Sequence, residues 1–333
     1  MQTEPDPSAT ESIFTTSCSY DCGARCLLKV HVKDGQIQKI RTGDFQDLKI
    51  KACPKGLAQG AVVTDPGRLI QPLKRTGPRG SGQFESVSWD EALDTVASEV
   101  YRIKEKFGSE SIYFMTGSGS FSALHNTGNV PHRFFSLFGQ CTTKWGNASM
   151  EGAVKSSIAT FGHYFTGSSR DNFLQSKLII LWGWNPVDTR FGSDTARYLA
   201  EAKEKGTKII SVDPRQNRSA KILDAEWIQI KPGTDTALMA AMAFVMITEN
   251  LLDQAFLDHY TSGFESYSDY VLGKDDGIPK TPAWAQEICG TPVDTTTELA
   301  RDYASIKPGA LMPGWAPGRS AHGEQFHRAA AVM

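Results

Sequence analysis

The chain has 333 residues, with 35 Lys and Arg against 37 Asp and Glu, a net charge of −2 that argues against a nucleic-acid partner. A hydrophobic content of 40% and a charged content of 22% exclude wholesale disorder. The longest uncharged apolar run, Ala237 to Ile247, is half of the roughly 20 residues a membrane-spanning helix needs.

Met1 to Ser17 is polar and acidic, with Pro5 and Pro7, and reads as a flexible extension. It lacks the basic start and apolar stretch of a signal peptide. Next, Leu28, Val30 and Val32 alternate, Asp34-Gly35 follows, and Ile37 and Ile40 resume: a hairpin signal, because a tight primed turn needs positive φ. Pro72 to Gly82 is a Gly/Pro/Arg-rich loop. Ser88 and Glu91 have capping-box spacing ahead of Leu93, Val96, Val100 and Phe107, a helix that Gly108 stops. Ile112 to Met115 predicts a buried strand and Pro131 to Phe138 a helix. In the second half Leu178 to Trp182 predicts a strand covered on both faces, Asp194 to Lys205 a helix and Lys208 to Val212 the next strand. Such a β-α-β unit places ligands at the carboxyl ends of its strands. Thr234 or Asp235 would cap the helix carrying Ala237 to Ile247.

Cys18, Cys22, Cys26 and Cys53 form a C-x3-C-x3-C-x26-C array followed by Pro54. Three near thiolates and one returning from a distance suit an iron–sulfur cube. A structural zinc site or disulfides are the alternatives, although zinc favours paired C-x2-4-C units. Cys141 and Cys289 stand alone and read as buried thiols. Lys55 is a surface lysine or a cation beside the cluster. Trp182-Gly183-Trp184-Asn185-Pro186 closes one strand and Asp213-Pro214-Arg215 the next. Lys231-Pro232-Gly233-Thr234-Asp235 opens a helix. Each alone is capping and turn chemistry. Together on one sheet edge they suit a nucleotide-like ligand, with carboxylates for ribose or base and helix starts for phosphate. No G-x-G-x-x-G follows either strand, which disfavours ordinary NAD binding.

These motifs occur in order with Cys53-Pro54-Lys55-Gly56, Pro72-Leu73-Lys74-Arg75 and Ser88-Trp89-Asp90-Glu91-Ala92-Leu93. Together they resemble the dimethyl sulfoxide reductase family of molybdenum oxidoreductases, and within it the anaerobic A-type catalytic subunits. The resemblance implies an α/β fold: a small N-terminal antiparallel iron–sulfur domain, then Rossmann-like parallel-sheet domains, a partial set of the family's domains I–III. It divides the chain into the extension 1–17, a cluster domain 18–70, the first part of an α/β domain 71–145, and a cofactor domain 146–333 truncated at its C-terminal end. It implies two cofactors, a [4Fe–4S] cluster on Cys18, Cys22, Cys26 and Cys53, and a bis(molybdopterin guanine dinucleotide) carrying molybdenum or tungsten.

The family's metal-ligand position matches Ser149, within Gly146-Asn147-Ala148-Ser149-Met150-Glu151-Gly152. On the residues alone Ser149 would be a helix N-cap, and Cys141 is the rival ligand. Carried over in the same way, Lys55 is the basic relay between cluster and pterin. Ser120, Ala153, Trp182, Gly183, Trp184, Asn185, Pro186, Thr189, Ser211, Asp213, Pro214, Arg215, Gly233, Thr234 and Asp235 are cofactor contacts. Asn185 and its backbone would face the pyrophosphate, Asp213 the ribose and Asp235 the guanine. Gly314-Trp315-Ala316 and Arg319 resemble a further family segment.

Family members are about twice this length, so the resemblance implies an N-terminal portion whose exposed edges favour aggregation. It implies reductive oxygen-atom transfer on an S-oxide or N-oxide, with an iron–sulfur electron-transfer subunit and a membrane anchor as partners. Alternatives are a non-catalytic relative in a respiratory complex, or a non-redox hydratase or transhydroxylase on the same cofactor. Localisation is expected to follow any twin-arginine leader encoded upstream: periplasmic and membrane-associated through partners with one, cytoplasmic as written.

Overall fold

The computed structural model describes residues 11–20, 22, 24–44, 51–115, 128–144, 146–164, 166–189 and 194–333. They group into two compact units, one drawn from Met1–Trp145, the other from Gly146–Arg190 and Asp194–Met333. No helix among the described residues is long and apolar enough to cross a membrane.

The first unit opens with β1 (Ser12–Ser17), β2 (Leu27–Lys33) and β3 (Gln36–Thr42), an antiparallel sheet in that order. Asp34 and Gly35 have φ of 53° and 74°, the primed turn expected between β2 and β3. The expected extension to residue 17 is corrected at Ser12–Ser17, which pair with β2 from Ser12↔Val32 to Ser17↔Leu27. Their β-branched run suits a strand, but every position is exposed, so no apolar alternation marks it.

After the sheet come α1 (Pro54–Leu57), α2 (Gln59–Val63), the two-stranded ribbon β4 (Leu73–Arg75) and β5 (Phe84–Ser86), and α3 (Trp89–Phe107). Ser88 Oγ accepts from Glu91 N at 3.1 Å, half of the expected capping box. The other half is absent because Glu91 instead accepts from Lys74 Nζ at 2.9 Å. The helix is where the spacing put it, yet none of its residues is buried. β6 (Tyr113–Phe114), α4 (Asn129–Phe138) and β7 (Thr142–Thr143) follow, β6 pairing parallel with β7. The buried strand expected over Ile112 to Met115 is thus two residues long and exposed at Tyr113 and Met115, and among the described residues it pairs with β7 alone.

The second unit contains α5 (Glu151–Phe161), β8 (Leu178–Trp182), α6 (Asp194–Glu204), β9 (Lys208–Val212), α7 (Arg218–Ile222) and β10 (Glu226–Ile228). It continues with α8 (Asp235–Thr248), α9 (Gln254–Tyr260), α10 (Phe264–Val271), α11 (Pro282–Cys289), α12 (Val293–Ser305), β11 (Gly309–Pro313) and α13 (Glu324–Val332). The sheet order is β10-β9-β8-β11, all parallel. Every residue of β8 is fully buried, and alternate side chains divide between two cores. Leu178, Ile180 and Trp182 meet Ile210, Val212, Leu238, Met242, Leu299 and Phe326. Ile179 and Leu181 meet Phe173, Leu199 and Ile209. A strand covered on both faces reads as an unbroken apolar run, which is why this element was so legible.

Candidate functional site

The cysteine array is assembled by local chain geometry. Cys18 follows β1 and Cys26 precedes β2, and Cys18 N donates to Cys26 O at 2.7 Å, closing the loop that carries Cys22. Cys53 is the N-cap residue of α1, with Pro54 opening the helix. Ala52 N donates to Thr42 Oγ1 at 3.0 Å, which ties the fourth cysteine's approach to the end of β3.

Cys18 and Cys26 are buried and, with Leu28, form the small core of this sheet. Burial pushes both thiols up. The Cys18, Cys22 and Cys53 sulfurs raise Cys26 further, so the four lie within electrostatic reach of one another. Cys18 also accepts a hydrogen bond from the Tyr20 backbone, which pulls it the other way. A Cβ on Gly56 would lie 3.3 Å from Cys18 Sγ, so glycine keeps that side of the sulfur open. None of the six cysteines is in a disulfide. Among the described residues no three His, Cys, Asp or Glu side chains converge on one metal ion. The thiols thus come three from the loop between β1 and β2 and one from the start of α1, the 3+1 supply that suits an iron–sulfur cube. Lys55 is exposed, its Nζ 5.2 Å from the centre of the Tyr20 ring.

In the second unit the carboxyl ends of β8, β9 and β11 lie along one edge of the parallel sheet. Gly183 has a φ of 59°, and Gly183 N donates to Val212 O at 2.8 Å. Asn185 is fully engaged inside the turn. Its Oδ1 accepts from Ser219 N at 3.2 Å and Ser219 Oγ at 2.6 Å, and its Nδ2 donates to Asp188 Oδ2 at 2.9 Å. Thr189 donates through Oγ1 to Asn185 O at 2.7 Å. This locks the turn to the start of α7.

Asp213 accepts from Arg215 N at 3.0 Å and Asn217 Nδ2 at 3.0 Å, leaving the Arg215 side chain exposed beside Pro214. Asp235 is brought to the end of β8 by Trp182, whose buried Nε1 donates to Asp235 Oδ1 at 2.9 Å. Burial pushes the Asp235 carboxyl up, the Trp182 N–H pulls it down, and the Asp213 carboxylate adds to the rise. Thr234 occupies the N-cap position of α8, but no side chain caps that helix. The Thr234 hydroxyl donates to Lys231 O at 2.7 Å instead, which corrects the expected cap. At Gly233, φ is 77° and an added Cβ would meet nothing within 4 Å. The three motifs therefore converge, with an open glycine, an exposed arginine and two carboxylates along one edge. The Trp182 and Ser211 side chains are fully buried and Pro186 is buried, while Trp184 is half-buried. A ligand there would meet the backbone at Trp182 and Ser211.

Ser149 lies in the loop that opens α5, with Ala153 half-buried in the helix's first turn. Gly146 has a φ of 68° and starts the loop. Asn147 N donates to Glu151 Oε2 at 2.7 Å, and Met150 N and Glu151 N donate to Asn147 O at 3.0 Å each. Ser149 N donates to Asn147 Oδ1 at 2.9 Å, and Ser149 O accepts from Arg319 Nε at 3.0 Å. The N-cap position belongs to Met150, and no side chain caps α5. The Ser149 hydroxyl is therefore not a cap, and it has no hydrogen bond among the described residues. Cys141, the rival ligand, is half-buried just before β7. Ser120 lies outside the described residues.

Two family models match the chain: Molybdopterin oxidoreductase Fe4S4 domain over residues 11–64, and Molybdopterin oxidoreductase over residues 68–333. The chain belongs to the molybdopterin oxidoreductases. Its cofactors are accordingly a molybdopterin and a [4Fe–4S] cluster. It is 37% identical to the probable dimethyl sulfoxide reductase chain YnfF of Escherichia coli, over 97% of this chain and 42% of that one. To dimethyl sulfoxide reductase DmsA of the same organism it is 36% identical, over 97% of this chain and 43% of that one. It thus spans less than half the length of these curated relatives. In fold it resembles acetylene hydratase from Pelobacter acetylenicus, with a TM-score of 0.73 and 24% identity over 96% of this chain and 42% of that one.

Sequence reasoning passed over Asn147, Glu151 and Ser219. An Asn two residues ahead of Ser149 is the signature of a side-chain-to-backbone turn, a readable signal for Asn147. Ser219 carried none, since its partner Asn185 is 34 residues away.

Proposed function

We propose that this molybdopterin oxidoreductase chain is the N-terminal portion of a catalytic subunit that reduces an S-oxide or N-oxide. In this reading Ser149 ligates the metal, molybdenum or tungsten, of a bis(molybdopterin guanine dinucleotide). Cys18, Cys22, Cys26 and Cys53 hold the [4Fe–4S] cluster, and Lys55 is a cation beside it. The dinucleotide lies along Gly183–Thr189, Asp213–Arg215 and Gly233–Asp235, with Asp213 toward ribose and Asp235 toward guanine. Residues 18–70, 71–145 and 146–333 correspond to cluster, α/β and cofactor domains. An iron–sulfur electron-transfer subunit and a membrane anchor are the expected partners. The bound cofactors supply two-electron exchange of an oxygen atom with substrate, coupled to one-electron steps.

The observation that carries the reading is the state of Ser149. Its amide and carbonyl are both held, and its hydroxyl neither caps α5 nor bonds to another described residue. A hydroxyl kept out of the local hydrogen-bond network is available as a hard oxygen donor. At the carboxyl edge, the chain's own groups orient the ligand: Arg215 and the open backbone at Gly233 suit phosphate, and Asp213 and Asp235 suit hydroxyl and amine donors.

The test is turnover of dimethyl sulfoxide and trimethylamine N-oxide by the purified holoprotein with reduced methyl viologen. Consumption of donor by either substrate is expected, with a loss of about a hundred-fold or more in Ser149→Ala. Iron and molybdenum in the protein without any such consumption would overturn the reading. Conversion of a substrate without any donor would point to hydratase or transhydroxylase chemistry instead.

A further inference from the structure

The segment that follows β11 is built against the two parts of the second unit that matter most to the proposed chemistry. Gly314 is buried against the β8 turn, where an added Cβ would lie 2.1 Å from Gly183 O. Gly183 leaves no more room in return, since its Cβ would lie 2.5 Å from Pro317. On the other side the segment seats on α5. A Cβ on Gly152 would lie 2.8 Å from Gly318 O, and Ser156 Oγ donates to Glu324 O and Gly152 O at 2.8 Å each. Beneath it, a Cβ on Gly318 would meet His327 Nε2 at 2.4 Å, and one on Gly323 would meet Gly318 C at 2.5 Å.

Glycine lets backbone meet backbone at Gly152, Gly314 and Gly323, and backbone meet a side-chain ring at Gly183 and Gly318, where no side chain fits. Between the two seats stands Arg319. Its own N donates to Ala316 O at 3.2 Å, and its Nε donates to Ser149 O at 3.0 Å. Asn147 grips the opposite side of the same residue.

We infer that Arg319 is a positioning residue for Ser149. With Asn147, it fixes the Ser149 backbone from both sides, so that the Cα–Cβ direction and hence the hydroxyl oxygen are set by the fold. The inference rests on the reading of Ser149 as the metal ligand. A ligating side chain must be held within about 0.5 Å of its working position, and a serine oxygen is one rotatable bond from the backbone. Fixing the backbone therefore fixes most of the ligand. Because the segment carrying Arg319 is also wedged under the Gly183 turn, one rigid piece of chain sets both the ligand loop and the proposed dinucleotide edge.

The test uses the holoprotein with Arg319→Met, which removes the donor, and Asn147→Leu, which removes the opposing acceptor. Hydrogen exchange at the Met150 and Glu151 amides should speed up about ten-fold in each. The Mo(V) electron paramagnetic resonance spectrum should split into several species, and kcat should fall about ten- to a hundred-fold with KM little changed. Asn147→Asp keeps an acceptor oxygen and should restore the single spectrum. Exchange and spectra like the parent's in both disruptive variants would overturn the inference. So would equal damage in Asn147→Asp and Asn147→Leu, the mark of a merely structural role. If Arg319→Met fails to fold, the Asn147 pair decides alone. Ser149→Ala separates the two readings. An unchanged spectrum there removes Ser149 as ligand, whereas a changed one beside a parent-like Arg319→Met removes only the positioning role.

Discussion

Strand β8 and helix α3 are built from similar apolar residues and meet opposite fates. All five residues of β8 are fully buried between two cores, whereas α3 buries none, and Leu93 and Val96 remain 60% and 61% exposed. Apolar periodicity tells which face of an element wants cover, and only packing tells whether it has it. The three-stranded sheet of the first unit adds a second contrast. Its buried core is Cys18, Cys26 and Leu28, two of them thiols, so little hydrophobic packing holds this sheet, and a cluster bound there as proposed would supply what packing supplies around β8.

The sharpest way to break this contrast is to remove the cluster. Cys26→Ser should lose the iron and the near-ultraviolet and visible absorbance of the protein, and hydrogen exchange should rise across Ser12–Thr42. Exchange in β8 and β9 should stay at the parent level. Ile180→Ala is the mirror experiment. It opens a cavity in the second unit and should cost about 2–5 kcal/mol of local opening free energy there, with iron content unchanged.

Next in size is a pH effect at His327, which burial holds down to about 4 from an ordinary 6.5. The unfolded chain binds this proton between those values and the folded chain does not. The contribution of this group to the stability of the second unit is therefore fully present above about pH 6.5 and is lost toward pH 4, roughly 3 kcal/mol in all. His327→Gln should flatten that part of a denaturation profile. Ser88→Ala, which removes the α3 cap, should cost about 1 kcal/mol, read as faster exchange in the first turns of the helix. Leu93→Ala, five residues further on, should change stability by less than about 0.5 kcal/mol, since its side chain is mostly in solvent. A larger loss would show that the α3 face is covered in the working protein.

Elements governed by their nearest neighbours were legible. The β2–β3 hairpin needed only Asp34-Gly35, α3 needed Ser88, and β8 and β9 start and end where the sequence placed them. The cysteine array was legible for the same reason, because three of its thiols share one loop. The strand at Ser12–Ser17 was not, since a fully exposed edge strand has no buried face to impose alternation. Nor was the buried character expected of Ile112 to Met115, because a four-residue apolar run does not reveal what packs on it.

The sequence by itself determined the local elements, the set of thiols and the three motifs that end up along one sheet edge, because each depends on backbone preferences over a few residues. Only the tertiary structure decided that Trp182 would hold Asp235, that Ser149 would be gripped from two sides while its hydroxyl bonded to no other described residue, and that Gly314 and Gly318 would have no room for a side chain. Those outcomes join residues as far apart as Ser149 and Arg319, 170 positions along the chain, and no spacing rule reaches that distance. They are set by which surfaces come together when the two faces of the sheet are buried.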